Sequence, residues 1–324
     1  MDAGGRSPVV AELRELLVRD LGPLIPRGPY ALVDFPNHSN VGDSAIWLGE
    51  LQLFETLAGR GPAYVCHRNN CDWGALERVD GPIFIHGGGN FGDIYPEHQA
   101  FREEVLRRFP GRLVVQLPQT LHYAEPAGLK RTRDAIVGHG NFVLCVRDRR
   151  SQEIAQGLGC DVLLTPDAAF ALDLKRMDEP RHEVVYLHRT DVERIESDVA
   201  RPPGWWEVDW LEEPRGLEKH MRRRGALAGL LTLQLDQQAL RERLYRELAE
   251  HRVRRGVAIL SAGKMVVTDR LHAHILSTLL GIPHIVLDNS YGKLSSFMAA
   301  WRTDRAAQAQ PDLAAAVAAW EVSR

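Results

Sequence analysis

The chain of 324 residues lacks any uncharged apolar run of the roughly 20 residues that would span a bilayer. Acidic and basic side chains interrupt the first 25 residues, which argues against a secretory signal. We therefore expect a cytoplasmic protein. Cysteine is also scarce, and the four cysteines fit free thiols in that compartment: Cys66, Cys71, Cys145 and Cys160.

Long blocks of one charge are missing as well. The formal net charge is −3 at pH 7, and residues of both signs are interspersed. A general attraction to polyanions is thereby excluded, so we expect no nucleic-acid partner and a local site for any anion. Cys66 and Cys71 have no matching second pair of ligands, and no other cluster has convincing spacing, so neither a metal nor a cofactor is expected.

Short apolar runs alternate with segments of helical period along most of the chain. The first series is YALVDF at 30–35, AYVC at 63–66, PIFIH at 82–86, RLVVQLP at 112–118, FVLCVRD at 142–148 and DVLLTPD at 161–167. The second is EVVYLHR at 183–189, WWEVDWL at 205–211, a long helix near 233–251, MVVTD at 265–269, HIVLD at 284–288 and a final helix at 311–320. Buried strands separated by helices indicate parallel sheets covered on both faces.

A charged stretch at 171–182, which contains Pro180, separates the two series and is the best linker candidate. We predict an α/β protein with two Rossmann-like domains, residues 1–175 and 176–324, that face each other across a cleft. Ligands of such sheets bind at the carboxyl ends of the strands. The residues that follow the predicted strands are therefore the candidate site residues.

Two of these strand-end loops share the pattern Asn-x-Gly-Asp. Asn40 and Asp43 belong to the loop at 34–46, and Asn90 and Asp93 belong to the loop at 83–96, which also contains three consecutive glycines around Gly88. Glycines permit a ligand to approach the backbone closely. The second loop has neither the spacing of a dinucleotide fingerprint nor the lysine of a P-loop. A plain, well-capped strand-to-helix loop, capped by Asp43 or Ser44, remains the alternative for the first.

Arg147 ends the strand predicted at 142–148 and is a candidate anion ligand. The alternative is a structural salt bridge from its guanidinium to Asp148 or Asp167.

The segment TDRLHAHI at 268–275 places cations at the start of a predicted helix at 270–280, with Thr268 or Asp269 as its N-cap. A helix N-terminus carries about half a positive charge, so Arg270 and His272 are unfavourable there unless an anion is bound. We therefore predict an anion site at this helix start. His274 lies one turn after Arg270 on the same side of the helix and is interpreted as a structural residue.

Five segments together resemble the polysaccharide pyruvyl transferase family: NHSNVGDSAI, IHGGGNFGDIYP, VRDRRS, TPDAAF and VVTDRLHAHILSTLLGIPHIVLDNSYGK. The resemblance extends from about residue 30 to 297. It implies a GT-B-like pair of Rossmann-like domains. It also implies transfer of the pyruvyl group of phosphoenolpyruvate, a donor substrate, to a hexose of an exopolysaccharide or its lipid-linked precursor. The products are a cyclic pyruvate ketal and phosphate.

The resemblance also implies roles for particular residues. The phosphoenolpyruvate-binding residues would be Arg147, which reaches the site from the first domain, and Arg270, Leu271 and His272 of the second domain. From the chemistry of the reaction we further expect His272 and Arg270 to be catalytic. The first domain would hold the acceptor sugar through Asn40, Asp43, Gly88, Asn90 and Asp93.

Two other functions stay open from the sequence. One is a GT-B glycosyltransferase that uses a nucleotide sugar, with Asp288 as a ribose ligand, and the other is a non-catalytic glycan- or anion-binding protein. The sequence does not determine the accepting sugar, its hydroxyl pair or the ketal stereochemistry. It also leaves open lipid linkage of the acceptor, peripheral association with the inner face of the membrane and the oligomeric state. We interpret Trp205, Trp206 and Trp210 as strand packing rather than as a membrane or glycan contact.

Overall fold

The computed structural model describes residues 8–177, 179–190, 198–214, 216–223, 236–287 and 293–322. The helices in these ranges are α1 (Pro8–Leu21), α2 (Val41–Ala58), α3 (Trp73–Glu77), α4 (Pro96–Arg108), α5 (Pro126–His139), α6 (Arg149–Ala155), α7 (Gln237–Ser261), α8 (Leu271–Leu280), α9 (Lys293–Trp301) and α10 (Leu313–Val322). The strands are β1 (Ala31–Val33), β2 (Tyr64–Cys66), β3 (Ile83–Ile85), β4 (Gly88–Gly92), β5 (Val114–His122), β6 (Phe142–Val146), β7 (Asp161–Leu164), β8 (His182–Leu187), β9 (Trp205–Val208), β10 (Gly263–Thr268), β11 (His284–Leu287) and β12 (Ala307–Gln310).

The first sheet has the strand order β2-β1-β3-β5-β6-β7, and all of its pairs are parallel. Strand β4 continues the line of β3 and pairs with the later part of β5. The chain order reverses between β1 and β3. In doubly wound sheets this reversal opens a crevice at the carboxyl edge, so the loops after β1 and β3 lie at a binding position.

The second sheet has the order β12-β11-β10-β8-β9 and is also entirely parallel. Its reversal lies between β8 and β10, so the loops after these strands lie at the equivalent position. Two parallel α/β sheets agree with the predicted fold class. The predicted division between residues 175 and 176 falls in the connection between β7 and β8 and stays a prediction.

Two strands and several element ends differ from the prediction. The triple glycine does not form an open loop but enters β4, and the alanine- and glutamine-containing segment Ala307–Gln310 forms β12. Strand β5 runs through Pro118 to His122, and the register shift between Gln116 and Gln119 accommodates the proline, which cannot donate a ladder hydrogen bond. Helix α7 starts and ends later than the predicted helix.

The N-terminus of α2 also differs from the prediction. Its N-cap is Asn40, whose side chain accepts a hydrogen bond from the Gly42 amide at 3.0 Å, whereas Asp43 and Ser44 lie inside the first turn. The carboxylate of Asp43 is therefore left to face the cleft rather than being used as the cap.

The largest hydrophobic cluster contains residues from both sheets and from the helices between them. In that cluster, Phe170 stacks on Phe297 from α9, with ring centroids 6.3 Å apart. Trp301 donates a hydrogen bond through Nε1 to the Arg147 carbonyl at 2.7 Å. The strand tryptophans pack as expected, Trp205 against another tryptophan of α10 and Trp206 against the His182 ring.

Helix α7 holds the loop between β1 and α2 in place. Arg252 is buried and donates to the Pro36 carbonyl at 3.2 Å, and Arg255 donates to the Ser39 carbonyl at 2.6 Å. Both carbonyls belong to the loop between β1 and α2, which enters the cleft. Helix α7 follows the first two strands of the second sheet and thus fixes a loop of the first sheet. Among the described residues, no helix combines the length and apolar character needed to cross a lipid bilayer.

Candidate active site

A cavity of about 360 Å³ lies where the carboxyl ends of the two sheets meet. The residues that line it are His38, Asn40, Asp43, Arg68, Gly89, Asn90, Tyr95, Glu97, His98, Thr120, Arg147, Arg189, Trp210, Leu211, Arg270, Leu271 and His272. They come from the loops after β1, β2, β4, β6, β8, β9 and β10, from strands β4 and β5, and from the first turns of α2, α4 and α8. Both topological switch points therefore contribute to one site.

The cavity carries an excess of positive charge. Among the described residues that line it, four arginines outnumber the two carboxylates, Asp43 and Glu97. Three histidines add further capacity for protons. A site of this composition favours an anionic ligand.

Arg147 occupies the side of the cavity next to the second domain. It is buried, and its Nη1 donates to Oδ2 of buried Asp167 at 2.5 Å while its Nε donates to the Thr120 hydroxyl at 2.9 Å. Burial would raise the pKa of Asp167, but the Arg147 guanidinium and the His272 imidazole outweigh it and hold the pKa well below its ordinary value. Arg147 therefore has the predicted salt bridge to Asp167 and lines the cavity as well.

His272 reaches from the start of α8 into the first domain. Its Nε2 lies 3.4 Å from Nη1 of Arg147 and 3.5 Å from Oδ2 of Asp167. A methyl group on the α-carbon of Gly42 would lie 2.3 Å from His272 Nδ1, so only glycine leaves room for the ring at that position. The side chain is 11% exposed, and both nitrogens are close to protein groups.

Arg270 is the N-cap residue of α8 and has no side-chain capping bond, so the prediction of Thr268 or Asp269 as the cap is wrong. Those side chains have other partners. The Thr268 hydroxyl donates to Leu187 O at 2.6 Å and accepts from the Arg270 amide, and Asp269 accepts from the Arg189 amide at 3.1 Å. They hold the ends of β8 and β10 together.

The Arg270 guanidinium pairs with Asp209, which follows β9, through an Nη2 to Oδ2 distance of 2.6 Å. It also lies 5.8 Å from the centre of the Trp210 ring. The expectation that this cation needs a ligand anion for charge balance is therefore corrected: the carboxylate of Asp209, from the end of β9, supplies it. Arg270 still lines the cavity and can donate to a ligand from there.

Asn40, Asp43 and His38 form the opposite wall. Asn40 Nδ2 donates to Asp43 Oδ2 at 2.8 Å, and His38 Nε2 lies 3.5 Å from the same oxygen. Burial would raise the pKa of Asp43, but the nearby histidines, first of all His38, lower it below its ordinary value. This wall therefore presents a carboxylate and hydrogen-bonding groups.

Asn90 is held in position from beneath the cavity. Its Oδ1 accepts from buried Arg102 and from Gln119, both at 3.0 Å. With its oxygen bound on the protein side, the amide NH₂ of Asn90 lies beside His98, whose Nδ1 is 2.8 Å from Asp34 Oδ2. Asn90 is thus an oriented hydrogen-bond donor rather than a mobile loop residue.

The glycine segment before β4 rests on a buried ion pair. Glu50 of α2 lies 2.8 Å from His86 Nδ1 and accepts from the Gly87 amide at 2.8 Å. Burial lowers the pKa of His86, but the adjacent Glu50 outweighs burial and raises it. A methyl group on Gly88, whose φ is +127°, would lie 3.4 Å from Asp43 Oδ1.

The structure brings most of the predicted site residues together. Those that line the cavity are Asn40, Asp43, Asn90, Arg147, Arg270, Leu271 and His272. Gly88 lies beneath Asp43 and outside the lining. Asp93 is also outside it, and its carboxylate accepts from the Ala124 and Glu125 amides at 2.7 and 3.0 Å.

His274 is part of a buried hydrogen-bonded chain. His284 donates from Nδ1 to the Ile282 carbonyl at 2.8 Å, so its Nε2 accepts from His274 Nδ1, and the Thr303 hydroxyl donates to His274 Nε2, both at 2.8 Å. Burial lowers the pKa of His274 far below its ordinary value and that of His284 to about 4. Both rings are neutral, which agrees with the structural interpretation of His274.

Several lining residues were not among the predicted site residues. Arg68 and Arg189 follow β2 and β8, and His38 and Trp210 follow β1 and β9. The position after a parallel strand, which identified Arg147, would have identified Arg189 too. Asp288, proposed for the nucleotide-sugar alternative, lies outside the described residues. Within the described ranges, no group of three or more His, Cys, Asp or Glu side chains could hold a metal ion.

The fold and the site define a two-domain α/β protein with a polar, cation-rich cleft. A crystal structure of a functionally uncharacterised Klebsiella pneumoniae protein shares this fold, with a TM-score of 0.61, 20% identity and coverage of 93% of this chain and 98% of that one. The family model for polysaccharide pyruvyl transferase matches residues 40–291.

Two curated relatives agree with that match. "Pyruvyl transferase 1" of Schizosaccharomyces pombe is 33% identical over 84% of this chain and 69% of its own length. "Putative pyruvyl transferase EpsO" of Bacillus subtilis is 31% identical over 83% of this chain and 84% of its own. The chain belongs to the polysaccharide pyruvyl transferase family.

Proposed function

We propose that the protein transfers the pyruvyl group of phosphoenolpyruvate to a hexose of a polysaccharide or its lipid-linked precursor, forming a cyclic ketal and releasing phosphate. The observation that carries this proposal is the cavity with cations on one wall and a carboxylate with neutral hydrogen-bonding groups on the other. A small dianionic donor and a neutral polyhydroxyl acceptor are complementary to these two walls.

The donor fits the wall formed by Arg147, Arg270 and His272. Phosphoenolpyruvate carries a carboxylate and a phosphate, and two guanidinium groups from different sheets can bind both ends. Each of these arginines is already held by a buried carboxylate, Asp167 or Asp209. The guanidinium groups are therefore fixed before the donor binds, which limits the entropy lost on binding.

The acceptor fits the wall formed by Asn40, Asp43 and Asn90. Carboxylate and amide groups exchange hydrogen bonds with sugar hydroxyls, and these three side chains are already oriented by protein contacts. Gly89 adds bare backbone to the same wall, so a sugar ring can approach closely. No cofactor takes part in the proposed reaction.

The chemistry joins two acceptor oxygens to C2 of the donor. The first hydroxyl oxygen gives up its proton to a base of the site and bonds to C2, while C3 gains a proton and becomes a methyl group. The second hydroxyl oxygen then bonds to C2 as the bond from C2 to the phosphate oxygen breaks, and phosphate leaves with that electron pair and takes up the proton of the second hydroxyl. His272 contacts the donor and takes part in this proton transfer, since a histidine can exchange protons near neutral pH.

The proposal is tested by incubating the protein with phosphoenolpyruvate and a panel of glycan acceptors, and by measuring phosphate release and ketal formation by NMR. Acceptor-dependent phosphate release with a new methyl signal is expected. Release of a nucleotide from a nucleotide sugar, without phosphate from phosphoenolpyruvate, would instead establish a glycosyltransferase. Binding of glycans or anions without either reaction would establish a binding protein.

The role of His272 is tested with His272→Gln, and the exposed His220 supplies the matched control His220→Gln. We expect the turnover of His272→Gln to fall by about 100-fold or more, in the range typical of acid–base residues. A folded His272→Gln protein with wild-type ketal formation would remove His272 from the reaction.

A further inference from the structure

We propose that His38, supported by Asp43, is the general base that takes the proton from the attacking acceptor hydroxyl. This inference rests on the proposed function. The first step of ketal formation separates two proton transfers in space: the acceptor oxygen loses a proton, and C3 of the donor gains one. One proton-exchanging group is therefore required on each wall. His272 lies on the donor wall.

His272 is poorly placed for the acceptor proton. Its Nε2 lies beside Arg147 and Asp167 on the donor wall, and its ring packs closely against Gly42, away from the acceptor side of the cavity. His38 lines the same cavity, and its side chain is 44% exposed, compared with 11% for His272. An incoming sugar hydroxyl can reach the His38 ring without displacing a protein group.

Asp43 gives His38 the properties of a base. The distance from His38 Nε2 to Asp43 Oδ2 is 3.5 Å, which is within ion-pair range. A carboxylate beside an imidazole stabilises the imidazolium ion that forms when the ring accepts a proton. Asp43 also lies in the first turn of α2, where the helix dipole favours its ionised form.

The loop that carries His38 is rigid enough for such a role. Arg252 holds the Pro36 carbonyl and Arg255 holds the Ser39 carbonyl, so the backbone is fixed on both sides of His38. The His38 amide also donates to the Pro36 carbonyl at 2.9 Å. A base must stay within hydrogen-bond reach of its substrate, and these contacts restrict its movement.

The charges around His38 come from several elements. Burial lowers the pKa of His38 below its ordinary value; Asp43 of α2 opposes this shift, whereas Arg252 of α7, His98 of α4 and His86 after β3 add to it. Among the contacts that the structure describes, Asp43 is the partner closest to the His38 ring. His38 therefore accepts a proton next to its counter-charge and is not held permanently protonated by its other neighbours.

The test uses the full-length protein with phosphoenolpyruvate and the acceptor found active in the phosphate-release assay. His38→Gln keeps hydrogen bonding but removes the base, and His220→Gln is the control outside the cavity. We expect kcat to fall by about 100-fold or more for His38→Gln, with phosphoenolpyruvate affinity unchanged by calorimetry. The acidic limb of the wild-type pH profile, which reports protonation of the base, should disappear.

A second variant, His38→Ala, leaves space for a free imidazole, which should restore part of the lost turnover. The inference is overturned if His38→Gln keeps kcat within about threefold of wild type, if it raises only the acceptor KM, or if imidazole fails to rescue His38→Ala. Absence of phosphoenolpyruvate-dependent phosphate release from the wild-type protein is a separate result, because it would remove the proposed function itself.

Discussion

The charged residues of the cavity are paired with partners from the protein before any ligand binds. Arg147 pairs with Asp167 and Arg270 pairs with Asp209, and all four side chains are nearly buried. The guanidinium groups of Arg147 and Arg270 are therefore held in place by protein carboxylates before any ligand binds.

Arg147 and Arg149 offer a matched comparison, because the first lines the cavity and the second is exposed at the start of α6. We expect Arg147→Gln to raise the phosphoenolpyruvate KM by about 10- to 100-fold, since a charge-assisted hydrogen bond contributes about 1.5–3 kcal/mol. Arg149→Gln should leave KM unchanged. Steady-state phosphate release measures both, and equal effects of the two variants would refute a donor role for Arg147.

Most elements were predictable from the sequence, because apolar β-branched runs between helical segments are typical of parallel sheets. Strands β4 and β12 were not, since glycine, alanine and glutamine have little strand propensity and pair only through their position beside β5 and β11. Strand ends identified Arg147 and Arg270 as site residues. The salt bridge of Arg147 to Asp167 was also among the alternatives that the sequence offered, whereas Asp209, which pairs with Arg270 from 61 positions away, was not predicted.

Strand β4 requires glycine more strictly at position 92 than at position 89. At Gly92, where φ is +120°, a methyl group would lie 1.8 Å from the His122 carbonyl oxygen, and at Gly89 it would lie 3.3 Å from Arg147 Nη2, the end of a flexible side chain. We expect Gly92→Ala to lower the free energy of unfolding by more than about 3 kcal/mol. Gly89→Ala should fold normally and lose activity.

Denaturant unfolding and phosphate release on both variants check this comparison of Gly92 with Gly89. A stable Gly92→Ala protein, or a fully active Gly89→Ala protein, would show that the backbone of β4 is placed differently.

The chain of neutral histidines between α8 and β11 makes stability depend on pH. The pKa of His284 is about 4 in the folded protein and about 6.5 when unfolded, so below pH 6.5 the unfolded chain binds protons that the folded chain excludes. His274 acts in the same direction. The free energy of unfolding should therefore fall as the pH drops from about 6.5 to 4, by roughly 2–3 kcal/mol for His284 alone.

Urea unfolding at several pH values measures this dependence. His284→Gln should show a weaker dependence on pH than wild type, whereas the exposed-residue control His220→Gln should retain it. An unchanged pH dependence in His284→Gln would mean that this buried pair does not control acid stability.

The two sheets are joined by more than a linker. The largest hydrophobic cluster includes residues from both, α7 holds a loop of the first sheet, and Trp301 of α9 donates to Arg147. We expect a single cooperative unfolding transition, since neither sheet keeps its full core alone. Calorimetry and tryptophan fluorescence should give coincident transitions, and two separate transitions would show that the halves are independently stable.

The clamp that Glu50 forms on His86 and Gly87 has an evolutionary consequence. It fixes the backbone beneath Asn40, Asp43 and Asn90. Under the proposed function, a change of accepting sugar that leaves this backbone in place must come from exchanges of side chains at the cavity rim. Tyr95, which is exposed there, is a position where such an exchange disturbs little. Relatives with other acceptors should therefore keep this glutamate and these glycines and diverge at the rim.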